Sequence, residues 1–202
     1  MKLLNSKLLF KSFCCAFVLT IMLTLIPFEA SCQEIQQDVF RLHILANSDS
    51  EEDQSLKLKV RDEILKYTEN FYKSSNSKEE AIKITAENLQ SIANKAKEIV
   101  FENGYDYQVK ARVADVYFNT RTYENVIMPS GTYKALQIEI GNAEGKNWWC
   151  VMYPSLCVGA SANYQELKDN MNDNEYNLLT KEKTVYKFKI IEYFEKIKSF
   201  FL

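Results

Sequence analysis

The sequence predicts an α+β domain: a mainly antiparallel sheet with two helices packed on one face and an amphipathic helix at the C-terminus. Three observations predict it. Stretches of period two begin and end the central region, stretches of period three to four lie between them, and clusters of Ser, Asn and Gly separate the two kinds. A chain of 202 residues, 47% of them hydrophobic, can bury one substantial core and is short for two, so a single domain is expected.

The opening residues 1–32 stand apart from that domain. Lys2, Lys7 and Lys11 precede an uncharged apolar run from Ser12 to Phe28, the form of an export signal. The run falls short of the roughly 20 apolar residues of a spanning helix, so cleavage near Ala30, Ser31 or Cys32 is expected ahead of a permanent N-terminal membrane segment. Residues 33–39 read as a polar linker, 40–157 as the core domain, and 158–202 as an irregular segment followed by the last helix.

Within the core, Phe40, Leu42, Ile44 and Ala46 alternate with Arg41, His43 and Leu45, which predicts a half-buried strand. Ser50 with Asp53, and Ser77 with Glu80, have the spacing of helix caps. The first cap leads into Leu56, Val60, Ile64, Tyr67 and Phe71, the second into Ala81, Ile84, Ile92, Ala96 and Ile99, and Asn103-Gly104 supplies a stop. Val109, Ala111 and Val113 followed by Val116 and Phe118 show the two-residue phase slipping by one, which predicts a bulge near Ala114 or Asp115. Thr132 to Ile140 forms the next strand, and Asn147 to Tyr153 is expected to return along it through a hairpin at Gly141–Gly145. The last helix carries Val185, Phe188, Ile191, Phe194, Ile197 and Phe201 on one stripe, which packs on the sheet or meets a membrane or partner helix.

The formal charge of −2, with both signs interspersed, disfavours nucleic acid. Five glycines, no glycine-rich phosphate loop and no protease triplet leave no small-molecule substrate or cofactor to expect. Removal of the signal takes Cys14, Cys15 and Cys32 with it and leaves Cys150 and Cys157. Six intervening residues are too many for the usual zinc pair, so no metal is expected. A disulfide is feasible if Pro154-Ser155 reverses the chain, and would contribute roughly 2.5 kcal/mol; two buried thiols are the alternative. The sole histidine, His43, is either the base for a Cys150 nucleophile or a polar residue on the outer face of its strand beside Arg41. Trp148 and Trp149 point to opposite faces, so one enters the core and the other either anchors a partner protein or is covered by the C-terminal helix.

Two long stretches, "FRLHILANSDSEEDQSLKLKVRDEIL" and "YENVIMPSGTYKALQIEIGNAEGKNWWCVMYPSLC", resemble the stage II sporulation protein R family of spore-forming bacteria. The family's pattern commonly has a second proline where this chain has Ser155. The resemblance implies a signalling protein and not an enzyme. It would be exported from the forespore to the space between the septal membranes, remain close to the membrane, and activate a membrane-embedded aspartic protease that matures the sigma factor E precursor. Arg41, His43, Asn47, Ser48, Asp49 and Ser50 match the family's front motif, and Asn147, Trp148, Trp149, Cys150, Pro154 and Cys157 its rear one. The competing reading is an exported cysteine-dependent hydrolase using Cys150 and His43.

Overall fold

The structure is a computed structural model that describes residues 6–72, 75, 77–123, 126–154, 168–169, 171–180, 188–190 and 192–193. Its elements in chain order are α1 (Ser6–Asp38), β1 (Phe40–Leu45), α2 (Glu51–Tyr72), α3 (Lys78–Glu87) and α4 (Leu89–Glu102). Then follow β2 (Val109–Phe118), β3 (Arg121–Tyr123), β4 (Val126–Met128), β5 (Gly131–Ile140), β6 (Asn147–Tyr153) and α5 (Asp173–Thr180).

This is a correction to the expected architecture: the chain is predominantly helical, its sheet is mixed and open, and helices cover both faces. The main sheet has the order β2-β5-β1-β6. β1 runs parallel to β5 and antiparallel to β6, while β2 and β5 are antiparallel. β5 and β6 therefore form no hairpin, because β1 is inserted between them. The connecting residues 141–146 instead cross the end of β1, spanning two strand spacings of about 4.8 Å each.

Insertion makes β1 a central strand, buried along its length except at Leu45. Its apolar residues Phe40, Leu42 and Ile44 join Leu136, Ile138, Ile140, Cys150 and Met152 against α2, α3 and α4, through Leu56, Val60, Ile64, Ala81, Ile92 and Ala96. The opposite face carries a second core of Val39, Phe118, Val126, Met128, Tyr133, Ala135 and Val151, closed by Ile35 of α1 and Leu179 of α5. Arg41 and His43 belong to that face and are buried there, so their strand is covered on both sides. A polar residue in an alternating strand reads as solvent-facing, and here it is not.

The two cores also explain the phase slip in β2. Pairing with β5 runs without interruption from Val109 to Phe118, with no bulge near Ala114 or Asp115. Val109, Ala111 and Val113 serve the helical core, whereas Val116 and Phe118 serve the other. The strand stays regular and the buried side changes. A register shift does occur, between Phe40 and Arg41 of β1.

The cap signals hold: Ser77 Oγ accepts from the Glu80 amide at 3.2 Å, and Ser50 Oγ from the Asp53 amide at 3.2 Å. The second predicted helix is two helices, broken at Asn88, whose side-chain amide donates to the Ile84 carbonyl at 2.8 Å. An Asn that bonds to the preceding turn competes with the helical backbone. α1 continues through the stretch read as a linker, and Gln36 Nε2 donates to the Ser130 carbonyl at 3.1 Å. Among the described residues no helix is long and apolar enough to cross a membrane, and α1 leaves Leu8, Phe10, Phe13, Phe17 and Leu23 exposed. α5 lies within the segment expected to be irregular. Most of the C-terminal helix lies outside the described residues; within them Phe188 is buried and stacks on Phe28, ring centres 5.0 Å apart.

The 141–146 crossing passes so close to β1 that Gly145 has no room for a side chain. A Cβ there would sit 2.1 Å from the Ser48 carbonyl oxygen, which is backbone and cannot swing aside. Gly145→Ala is expected to cost about 2 kcal/mol, measurable as a lowered urea midpoint at unchanged slope, while Gly104→Ala meets no atom within 4 Å and pays only for its φ of +87°.

Candidate functional site

The front motif forms a clasp. Asn47 Nδ2 and Ser48 Oγ both donate to Asp53 Oδ2, at 2.8 and 2.6 Å, and so tie the end of β1 to the first turn of α2. On its other side the clasp takes hold of the crossing loop: Asn47 Oδ1 accepts from the Asn142 amide at 3.0 Å, and Asp49 Oδ1 from the Lys146 amide at 2.6 Å. Lys57, buried in α2, donates to the Lys146 carbonyl at 2.9 Å. Burial pushes the Asp53 carboxyl up, but hydrogen bonds from Ser48, Asn47 and Tyr107 outweigh it and hold the group below its ordinary value. Asn47, Ser48, Asp49 and Ser50 thus act on the fold. They fix where β6 begins.

From that start β6 alternates. Trp148, opposite Ile44, joins the helical core and lies under the Arg61 guanidinium, 5.0 Å from its ring centre. Trp149, opposite His43, lies on the other face with the Arg121 guanidinium 3.9 Å above it. Both tryptophans are half-buried, so neither projects freely into solvent.

Around Trp149 the second face gathers an unusual set of groups. Phe118 is its centre: the Trp149 ring lies 5.6 Å away, the His43 ring 5.9 Å, and the Arg41 guanidinium 4.0 Å from the ring centre. Arg41 is fully buried, also lies 4.8 Å from the Tyr133 ring centre, and donates from Nη2 to Tyr123 Oη at 2.6 Å and from Nε to the Cys150 carbonyl at 3.4 Å. No carboxylate pairs with it among the described residues. Its Nη1 has no partner, and neither do His43 Nε2 and Trp149 Nε1.

The protonation of His43 follows from its neighbours. Arg112, which can only donate, bonds from Nε to Gln137 Oε1 at 2.9 Å and from Nη2 to Glu139 Oε1 at 2.6 Å. Gln137 therefore turns its NH2 toward His43 Nδ1, 3.3 Å away. A neutral ring that accepts at Nδ1 carries its proton on Nε2. Burial lowers the pKa to about 4; a side-chain hydrogen bond with Asn147 and the Glu139 charge oppose that shift, and the Arg41 and Arg112 charges add to it.

A thiol–imidazole pair does not exist here. Cys150 pairs with Leu42 and faces the helical core, whereas His43 pairs with Trp149 and faces the other. The two side chains leave opposite sides of the sheet. Cys150 is moreover held in a disulfide; its expected partner, Cys157, lies outside the described residues.

The two motifs thus build a buried cationic-aromatic face on one side of the sheet and set the Cys150 disulfide on the other. The model of the stage II sporulation protein R family matches residues 36–163, and the chain is 36% identical over 151 residues to stage II sporulation protein R of Bacillus subtilis (strain 168), across 75% of this chain and 67% of that one. No solved structure matches. This chain belongs to the stage II sporulation protein R family: it is an exported sporulation signalling protein linked to sigma factor E processing, and not an enzyme. Its partner is a sporulation-related membrane protease.

The sequence singled out Arg41, His43 and Trp149, but nothing in it set Phe118, Arg112, Gln137 or Arg121 beside them. Those four come from β2, β5 and β3, and a strand order no local pattern encodes brings them together.

The low pKa of His43 has a sign that can be checked. Its folded value of about 4 lies below the ordinary 6.5, so protonation favours the unfolded chain. The contribution is fully present above pH 6.5 and is lost as pH falls toward 4, by up to about 3 kcal/mol. An imidazole titration by NMR is expected to show a midpoint near 4, and His43→Gln to flatten the stability profile across that window.

Proposed function

We propose that this domain activates a membrane-embedded aspartic protease by docking against it in the space between the two septal membranes, and that the face around Trp149 makes the contact. One observation carries the reading: His43 and Cys150 leave opposite sides of the sheet, so the motif residues serve recognition and not turnover. Supporting it, half-buried Trp149 on edge strand β6 lies beneath the exposed Arg121 guanidinium of β3, an aromatic-cation pair of the residue types that dominate interface energetics.

Export with a cut after Cys32 would keep Ile35 and Val39 in the second core and the Gln36 bond to Ser130, and would remove Phe28 and Cys32 from their cluster with Ile127 and Phe188. A clamp between Cys150 and Cys157 would hold the end of β6 and keep Trp149 in place. Docking that favours the active arrangement of the protease then acts as a population shift. Moving it from 1:99 to 99:1 requires about 5.5 kcal/mol of differential binding, within the reach of a few well-packed anchor residues.

Co-production with the protease and the sigma factor E precursor tests this by the amount of processed product on a blot. Processing is expected to saturate near one copy of this chain per protease, and complete processing at a tenth of that amount would overturn the docking account. Trp149→Ala is expected to reduce processing about tenfold or more. Phe101→Ala, at a residue 73% exposed on α4 behind the opposite face, is expected to leave it unchanged.

A further inference from the structure

Among the described residues three N–H groups on the second face have no acceptor in hydrogen-bonding geometry: Arg41 Nη1, His43 Nε2 and Trp149 Nε1. Arg41 is fully buried and His43 is 5% exposed, and both, with Trp149, surround the single ring of Phe118 at 4.0 to 5.9 Å. Buried polar groups are nearly always satisfied, so three such donors around one ring form an exception that calls for a partner. All three are donors. The Arg112–Gln137–His43 relay determines this for the imidazole, which would otherwise be free to accept at Nε2.

We propose that this cluster is a binding site for a carboxylate, supplied by an aspartate or glutamate side chain of the docked protein partner. The missing component must accept hydrogen bonds. It is anionic because Arg41 has no carboxylate partner among the described residues and Arg121 adds a second guanidinium to the same face, whereas the Arg112 guanidinium is already paired with Glu139. It is small, because the orphaned atoms are closed off from solvent among the rings of Phe118, Tyr133 and Trp149. Arg121, exposed on β3 and stacked on Trp149, meets the incoming acid first and gives way to it. Arg41 and Trp149 then donate to its two oxygens, and neutral His43 contributes its Nε2 proton without itself being charged. A fully charged imidazole beside two arginines would oppose one another; the low pKa avoids that conflict.

The inference rests on the docking reading and deepens it, and the two fail separately. The probe is glutamate blocked at both termini, titrated into the 15N-labelled full chain to about 100 mM, where a millimolar site approaches saturation. The His43 Nε2–H and Trp149 Nε1–H resonances are expected to move together and saturate, with Trp148 unmoved. Blocked glutamine is expected to move neither. Trp149→Phe keeps the ring and removes the donor, and is expected to weaken binding about tenfold; Arg121→Gln, at an exposed position, guards against a folding artefact and is expected to weaken it as well. No shift with glutamate, an equal shift with glutamine, or a stronger one with inorganic phosphate would overturn the carboxylate assignment. If processing depends on Trp149 while glutamate does not bind, docking stands and this site is wrong.

Discussion

The structure depends on one costly placement, an arginine inside a core with no acid to neutralise it among the described residues. Arg41 sits in the central strand of the sheet, between rings of Phe118 and Tyr133, with its bonds going to a phenol and a main-chain carbonyl. Removing a guanidinium from water costs several kcal/mol even after relaxation. Cation–π contacts return about 0.5–2 kcal/mol each, and the hydrogen bonds to Tyr123 and the Cys150 carbonyl return a similar amount. An apolar residue of the same volume would meet the needs of packing at lower cost. Retaining the charge makes sense if something outside the chain completes it.

Everything around Arg41 serves to hold that placement rigid. The clasp of Asn47, Ser48, Asp49 and Asp53 fixes the crossing loop to α2, which sets the start of β6. Because strand side chains alternate, a shift of one residue would exchange Trp148 with Trp149 and turn Cys150 to the wrong face. The front and rear motifs are therefore two halves of one device. Asn47, Ser48 and Asp49 of the front motif set the register, and it places Trp149 of the rear motif beside Arg41 and His43 of the front one.

Local chemistry was legible in the sequence: both helix caps, the stop at Asn103-Gly104 and the opposed tryptophans. What was not legible depended on long-range order. β1 looked half-exposed because Arg41 and His43 are polar, yet α1, the β3–β4 ribbon and α5 cover them from parts of the chain far away. The slip in β2 looked like a bulge because one strand serving two cores produces the same pattern as an inserted residue. β5 and β6 looked like a hairpin because only the pairing partners reveal the strand lying between them. Of the candidate site, Arg41, His43 and Trp149 were visible as motif residues, whereas their missing acceptors are a property of three-dimensional packing alone.

The most direct test of the central claim replaces Arg41 with methionine and measures two quantities on the same protein: unfolding free energy in urea and activation of the membrane protease. If the guanidinium is kept for a partner, Arg41→Met will be as stable as the parent or up to about 2 kcal/mol more stable, and will fail to activate. A variant that activates normally, or one that loses more than about 3 kcal/mol of stability, would show that Arg41 holds the domain together and receives nothing from outside.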